Sequence, residues 1–176
     1  MRASRAQLIS YVSGLATYLV RVGSELRSQP TLDIYDGGEL GFDIEAALPG
    51  AGAPRPAEIR LSETWRPRGR VFERDEYEYE LVDRERGRRR ADHRHDSEAF
   101  LRRTETAIHE HCEEILGQPT CDHYVGLPVR DGYQALERIL IAWTEPGTLG
   151  CAGLDCMDAL LGRPLTHAGR CLVRQS

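Results

Sequence analysis

The spacing of the apolar residues changes near residue 30, and this change constrains the fold more than any other feature. Before it, apolar residues recur every three or four positions: Leu8, Val12, Leu15, Leu19, Val22 and Leu26. That period places one apolar stripe on a helix, which Pro30 would end. The stripe predicts a helix over 5–28 that packs on a sheet of the same chain. The alternative is a seam with a second copy, which would give a homodimer.

After residue 31 the period is two, as in strands that bury one face. Alternating apolar side chains predict three strands, at 40–48, 59–65 and 77–81. Consecutive strands joined by short turns favour an antiparallel meander. The expected fold class is therefore α+β, with an antiparallel sheet meander, an N-terminal amphipathic helix and C-terminal helices packed on the sheet.

Two further helices are predicted after the sheet. The apolar pattern favours a helix over 97–116, with a loop and a short strand at His109 as the alternative. Another helix is expected to follow Asp131, whose carboxylate would cap it. Residues 1–145 are expected to form a single α+β domain, and the Gly-rich residues 146–176 an extension packed on that domain.

Size, charge and cysteine content limit the class of protein. A chain of 176 residues and 19.8 kDa can bury a core without a disulfide or a metal. The net charge of -5 argues against a protein that coats nucleic acid through bulk positive charge. No apolar run approaches the about 20 residues of a membrane span, and the N-terminal segment lacks the pattern of a signal peptide. An odd number of cysteines favours free thiols or metal ligands in the reducing cytoplasm.

Histidines and cysteines are concentrated in one part of the chain. Seven of them are candidate metal ligands: His93, His95, His109, His111, Cys112, Cys121 and His123. Neutral imidazole and thiolate are the usual ligands of zinc, so the cluster predicts a site for zinc or another divalent transition metal. Two alternatives stay open. The histidines are ordinary surface or half-buried side chains, or His93 and His95 act without metal as an acid–base pair on a phosphodiester.

An arginine run precedes this cluster. Arg88, Arg89 and Arg90 are candidate ligands of a phosphate-rich substrate, because guanidinium groups bind phosphate in a bidentate manner. The alternative is a solvated strand and turn, since acidic residues are frequent at 73–85. The chain has neither a Gly-rich phosphate loop nor the glycine motif of dinucleotide-binding proteins.

Four segments of the chain follow a recognisable order: Glu58–Trp65, Tyr77–Asp83, Ala91–His95 and His109–His111. This order resembles the TumE-type toxins of bacterial and archaeal toxin–antitoxin pairs. In that family an aromatic-x-aromatic strand step leads to an Asp-containing segment with paired histidines, and a second His-x-His group follows. The resemblance covers residues 31–143. It implies a small cytoplasmic protein encoded beside a DNA-binding antitoxin.

Together these features predict a toxin-like protein that acts on RNA as a nuclease. Asp92, His93 and His95 are the expected catalytic group, and the second His-x-His group would complete a reactive or metal-holding centre. Arg88–Arg90 would hold phosphate, and an antitoxin is the expected protein partner. The alternative from another class is a non-catalytic, zinc-stabilised module that works by binding a protein.

Overall fold

The described part of the chain contains nine strands, two α-helices and a short 3-10 helix at Asp36–Gly38. The computed structural model describes residues 1–48, 56–85, 87–94, 107–113, 121–123 and 129–144, with the backbone alone at 88, 109–113, 121–123, 142 and 144. In chain order the elements are β1 (Arg2–Ala3), α1 (Arg5–Arg21), β2 (Glu25–Leu26), β3 (Asp33–Ile34), β4 (Leu40–Leu48), β5 (Ala57–Arg68), β6 (Val71–Asp83), β7 (Arg88–Arg94), β8 (Ile108–Glu113), β9 (Cys121–His123) and α2 (Gly132–Thr144). The extension predicted at 146–176 lies outside the described residues.

All nine described strands belong to one antiparallel sheet. From β4 to β9 each strand pairs with the next one along the chain, so the predicted meander is confirmed. β2 and β3 both pair with β4, and β1 pairs with β6. In the β5–β6 ladder, Ile59 is opposite Leu81 and Leu61 is opposite Tyr79. These pairs place the predicted apolar alternation of both strands on the same face.

One face of the sheet carries the core, and we name it the covered face because both helices pack on it. Its large side chains alternate along β4, β5 and β6: Phe42, Ile44, Leu48, Ile59, Leu61, Trp65, Tyr77, Tyr79 and Leu81. Leu8, Leu15 and Leu19 of α1 are fully buried against this face. Burying one leucine side chain stabilises the fold by about 1.5–3 kcal/mol. The predicted α+β class is therefore confirmed. The opposite side of the sheet is the open face.

Helix α1 begins where the sequence predicts it. Ser4 caps it, since the Gln7 N–H donates to the Ser4 hydroxyl at 3.3 Å and the Gln7 side chain accepts from the Ser4 N–H at 2.8 Å. The apolar stripe packs on the sheet of the same chain, as predicted. Its buried side chains therefore cannot also form the seam of a homodimer through 5–28.

The same helix ends earlier than predicted. The Ser24 N–H donates to the Leu19 carbonyl at 2.9 Å, and Gly23 adopts a φ of 86°, which closes the helix in the left-handed region that favours glycine. The prediction of a helix up to residue 28 is therefore wrong. Val22 lies at the helix end and is 36% exposed, although the stripe predicts it buried. Leu26 belongs to β2 instead.

The helix predicted over 97–116 is wrong in the part that the structure describes. Residues Ile108–Glu113 form β8, which confirms the alternative with a strand at His109. This strand pairs with β7 from Ile108 opposite Arg94 to Glu113 opposite Arg89. Unpaired N–H and C=O groups along a strand edge seek a partner, and this long-range pairing outweighs the local helical pattern. Residues 95–106 lie outside the described chain.

Helix α2 confirms the helix predicted after Asp131. The Gln134 N–H donates to the Asp131 carboxylate at 2.9 Å, which is the expected N-cap contact. Its buried residues join the same core as those of α1: Ala135, Leu136, Ile139 and Trp143. The Tyr133 ring meets Tyr11 and Tyr18 of α1, with centroids 5.9 and 6.0 Å away. The two helices therefore cover the sheet side by side.

Candidate functional site

The open face of β6 and β7 carries a histidine with a charged side chain near each ring nitrogen. His93 lies on β7 opposite Glu78 of β6, and its Nδ1 is 3.5 Å from a Glu78 carboxylate oxygen. Nη2 of Arg89 is 3.4 Å from Nε2 of the same ring. A cavity of about 130 Å³ opens beside His93 and Glu78. The His93 side chain is 10% exposed, so its neighbours enclose it closely.

Arg89 connects this histidine to a row of opposite charges. Its Nη2 is 2.9 Å from the Glu78 carboxylate and also contacts Glu80. Glu80 lies 4.0 Å from Arg60, which binds Glu45 at 2.6 Å. Positive and negative side chains therefore alternate across four strands, from β4 to β7. We name these charged residues the open-face charge ladder: Glu45, Arg60, Glu78, Glu80 and Arg89.

Glu78, Glu80 and His93 together have the donor atoms of a metal site. One ligand atom from each lies within 4.8 Å of the others. Carboxylate oxygen and imidazole nitrogen are both zinc ligands, at about 2.0–2.2 Å from the ion. The Arg89 guanidinium lies among the same carboxylates and the same ring. The donor set fits a divalent transition metal, which would bind in competition with Arg89.

The β7–β8 ladder brings part of the predicted histidine cluster to this place. His109 is directly opposite His93, and His111 is opposite Ala91. Paired residues of an antiparallel ladder have Cα atoms about 4.5–5.5 Å apart and belong to the same face. The backbone of the second His-x-His group therefore runs beside His93. His95 lies outside the described residues.

By strand register, three of the predicted metal ligands belong to the covered face, opposite to that of His93. Cys112 pairs with Arg90 on one side and with Cys121 on the other, and His123 pairs with Glu110. Alternate residues of a strand belong to opposite faces of a sheet. The register therefore does not bring Cys112, Cys121 and His123 to the face of His93.

Asp92, which the sequence predicts to act beside His93, lies on the covered face. Its Oδ1 is 2.9 Å from Nη1 of Arg138 in α2. Both residues are buried. Because neighbouring residues of a strand point to opposite faces, Asp92 cannot touch a substrate bound at His93. The structure gives Asp92 a buried ion pair with Arg138 on the face opposite to His93.

The arginine run divides between the faces in the same way. Arg89 lies on the open face, whereas Arg90 is buried on the covered face opposite Leu81. Arg88 is opposite Asp83, and only its backbone is described. Of the run Arg88–Arg90, the structure places Arg89 beside His93 and buries Arg90 on the other face. Phosphate binding by these arginines stays a prediction.

A second polar group is buried on the covered face, and we name it the Glu63 cluster: Glu63, Tyr11, Tyr79 and Arg74. The hydroxyls of Tyr11 and Tyr79 both donate to Glu63 Oε1, at 2.6 and 2.5 Å. Tyr79 accepts from Arg74 Nη1 at 2.7 Å, and Tyr11 accepts from the Gly132 N–H at 2.6 Å. Each hydroxyl is thus directed toward Glu63, which ends both hydrogen-bond chains.

Burial controls the protonation of this cluster. Loss of water raises the pKa of Glu63, although the charge of Arg74 and the hydrogen bonds from the two tyrosines oppose the rise. Burial and the nearby carboxylate raise the pKa of Tyr79 well above its usual value and also raise the pKa of Tyr11. Among the described residues, Glu63 Oε2 and the Trp65 indole nitrogen make no hydrogen bond of ordinary geometry, yet the indole lowers the pKa of Glu63. The tyrosines stay protonated and remain donors at neutral pH.

A bulge in β6 supplies Arg74 to the Glu63 cluster. The β5–β6 register shifts at this point, so that Thr64 pairs with Glu76 but Trp65 pairs with Arg74. Asp75 is the extra residue. Uninterrupted alternation from Tyr77 would place Asp75 on the covered face. The sequence pattern therefore does not indicate that Arg74 is buried there.

Three acidic residues of these groups are also missed, for different reasons. Glu63 has the covered-face parity of β5, between Leu61 and Trp65, and this break in an apolar alternation is a signal that sequence analysis could use. Glu78 and Glu80 have the pattern of any solvated strand face. Their importance follows from Arg89 and His93, which only the pairing of β6 with β7 brings near.

Comparison with known proteins assigns no function to the residues around His93 or to the Glu63 cluster. The chain matches no protein-family profile, no curated protein and no solved structure. Within the described ranges, no helix is both long and apolar enough to cross a membrane. The geometry and the sequence pattern are therefore what supports a function.

Proposed function

We propose that the protein is the toxin of a toxin–antitoxin pair and that it cleaves RNA in the cytoplasm. The observation that carries the proposal is the contact of His93 with Glu78 and Arg89 on the open face. A carboxylate orients an imidazole and stabilises its protonated form, and a guanidinium is well suited to phosphate. Glu78 and His93 lie in the segments 77–83 and 91–95, which resemble TumE-type toxins. The proposed partner is a small DNA-binding antitoxin encoded beside this gene.

In this proposal His93 is the general base of a transesterification. It removes the proton from a ribose 2′-hydroxyl while the bond between O2′ and phosphorus forms. The bond from phosphorus to O5′ breaks, and the departing oxygen takes a proton from water. The hydroxide that remains takes the proton from His93, which restores the base. The products are a 2′,3′-cyclic phosphate and a 5′-hydroxyl. Glu78 holds the ring, and Arg89 exchanges its carboxylate partners for the phosphate.

A divalent metal at Glu78, Glu80 and His93 is a second candidate, which the spacing of their ligand atoms favours. When bound, the ion would act as a Lewis acid for phosphate, or it would stabilise a non-catalytic module that binds a protein. Elemental analysis of untagged protein tests this candidate. About one zinc or manganese ion per chain, lost in Glu80→Gln, would support it, and no uptake of either metal would contradict it.

The decisive test of the nuclease is RNA cleavage by the wild type and by His93→Gln. General acid–base catalysis contributes about 10²–10⁴-fold, so kcat of the variant should fall by that factor. The products, resolved by mass, should end in a cyclic phosphate. The assay is run with and without a chelator, because loss of wild-type cleavage on chelation would favour the metal candidate over metal-free catalysis.

The matched control is Arg60→Gln, which alters the same open-face charge ladder away from His93. Its cleavage rate should equal that of the wild type. Cleavage by His93→Gln at the wild-type rate would rule out His93 as the base. Growth arrest on expression, relieved by co-expression of the neighbouring gene, would support the toxin–antitoxin assignment independently of the nuclease.

A further inference from the structure

The residues next to Glu78 and His93 are anchored on the other side of the sheet. Glu78 lies between Tyr77 and Tyr79 in β6, and His93 directly follows Asp92 in β7. Because alternate residues of a strand point to opposite faces, these three neighbours lie on the covered face. All three are buried there, and each makes a polar contact. The positions of Glu78 and His93 therefore depend on contacts on the covered face.

Two tyrosines fix β6 to the chain that leads into α2. The Tyr77 hydroxyl accepts from the Val129 N–H at 3.1 Å, and the Tyr77 ring stacks on Tyr79 with centroids 4.9 Å apart. Arg74 donates to the Val129 carbonyl and to the Tyr79 hydroxyl, and its guanidinium lies 4.5 Å over the Tyr77 ring. Both backbone groups of Val129 are thus bound by side chains of β6.

One buried ion pair fixes β7 to the same helix. Arg138 Nη1 is 2.9 Å from Asp92 Oδ1, and the two residues are 5% and 6% exposed. Charges attract more strongly in such surroundings than in water. Val129 and Arg138 belong to one continuous segment, 129–138. This segment therefore binds β6 at its start and β7 farther along, and it sets the position of one strand relative to the other.

We propose that Asp92 and Arg138 are positioning residues, through which α2 holds β7 so that His93 meets Glu78 on the open face. This proposal rests on the proposed function of His93. Neither residue touches the substrate. Their effect would be large, because a displacement of about 1 Å in a reacting group can lower a rate about 100-fold.

The experiment replaces both partners in the full chain, as Asp92→Asn/Arg138→Gln. Removing both charges leaves neither partner of this pair buried without its counter-charge, so this variant is expected to fold. Its kcat for RNA cleavage should fall about 100-fold. KM should stay near the wild-type value, since Arg89 is unchanged. The NMR resonances of the His93 ring nitrogens, assigned by their loss in His93→Gln, should shift.

Two controls separate positioning from a general loss of structure. Glu137→Gln alters the exposed neighbour of Arg138 in the same helix and should leave kcat and the His93 resonances unchanged. Arg138→Lys keeps a positive charge opposite Asp92 and should recover most of both readouts. If the double variant does not fold, Asp92→Asn alone, which keeps an oxygen for Arg138, is measured in its place.

The outcomes distinguish a failure of the positioning role from a failure of the proposed function. A folded double variant with wild-type kcat and unshifted His93 resonances would overturn the positioning role. Failure of Arg138→Lys to recover either readout would do the same. If the wild type cleaves no RNA, the proposed function fails, and the His93 resonances alone then decide whether α2 positions the ring.

Discussion

The two faces of the sheet carry the same types of charged side chain in different surroundings. On the open face, the side chains of Arg60 and Glu45 are 49% and 45% exposed. On the covered face, those of Arg74 and Glu63 are 3% and 0% exposed. Exposed ion pairs contribute about 0.2–1 kcal/mol, whereas removing one partner of a buried pair costs about 3–5 kcal/mol. Exposed ion pairs can therefore exchange partners, whereas buried ion pairs fix the strands.

This difference explains why charged residues on the two faces of one sheet respond differently to the loss of a partner. Arg60 can leave Glu45 on the open face, because water replaces the lost contact. The Arg89 side chain is 20% exposed beside Glu78 and lies between the two extremes. Arg74 has no such substitute, since its guanidinium already serves Tyr79 and the Val129 carbonyl inside the core. A layer of exposed charge and a layer of buried charge are thus separated by the thickness of one sheet.

The largest expected effect is on the covered face. Replacing Arg74 by alanine removes the positive charge beside Glu63 and the donor to Val129. The free energy of unfolding should fall by about 3–5 kcal/mol, measured by urea denaturation. Adding Glu63→Gln should recover part of this loss, because no carboxylate is then left unpaired. A loss below about 1 kcal/mol would mean that Arg74 contributes no more to stability than an exposed charge does. The proposed difference between buried and exposed ion pairs would then be wrong.

A smaller effect is expected from pH, again through Glu63. Because the pKa of Glu63 is raised in the folded protein, the folded state holds this proton more tightly than the unfolded state does. The contribution of Glu63 to stability is therefore full below its ordinary pKa of 4.5 and is lost as pH rises through the folded value. Glu63→Gln should lack this decline, so the wild type should lose stability relative to the variant as pH rises from 4 to 8. A constant difference across that range would contradict the raised pKa.

The smallest effect belongs to the open face. A double-mutant cycle on Glu45→Ala and Arg60→Ala should give a coupling of about 0.2–1 kcal/mol in urea denaturation. In 1 M salt the coupling should shrink, because the screening length falls from about 10 Å at 0.1 M to about 3 Å. A coupling as large as the loss in Arg74→Ala, and insensitive to salt, would show that the open face is also a fixed structure.

Local patterns in the sequence determined much of the scaffold. The helical period from Leu8 to Leu19 and the alternation along 40–48 each require one apolar side to be covered, and a sheet under an amphipathic helix meets both needs. Asp131 marks the start of α2 by itself, because the capping contact to Gln134 spans only one turn. Gly23 ends α1 by an equally local rule, which the longer apolar stripe obscures.

Tertiary structure decided the site, because its contacts join residues that are far apart along the chain. Ile108–Glu113 has a helical pattern and becomes a strand, since the edge of β7 needs a hydrogen-bonding partner. Asp92 and His93 are neighbours in sequence, and the alternation of a strand sends them to opposite faces, where Arg138 and Glu78 meet them. Composition can indicate that charges and histidines are present. Which of them lie together depends on strand register, and register is fixed by the packing of the whole sheet against its helices.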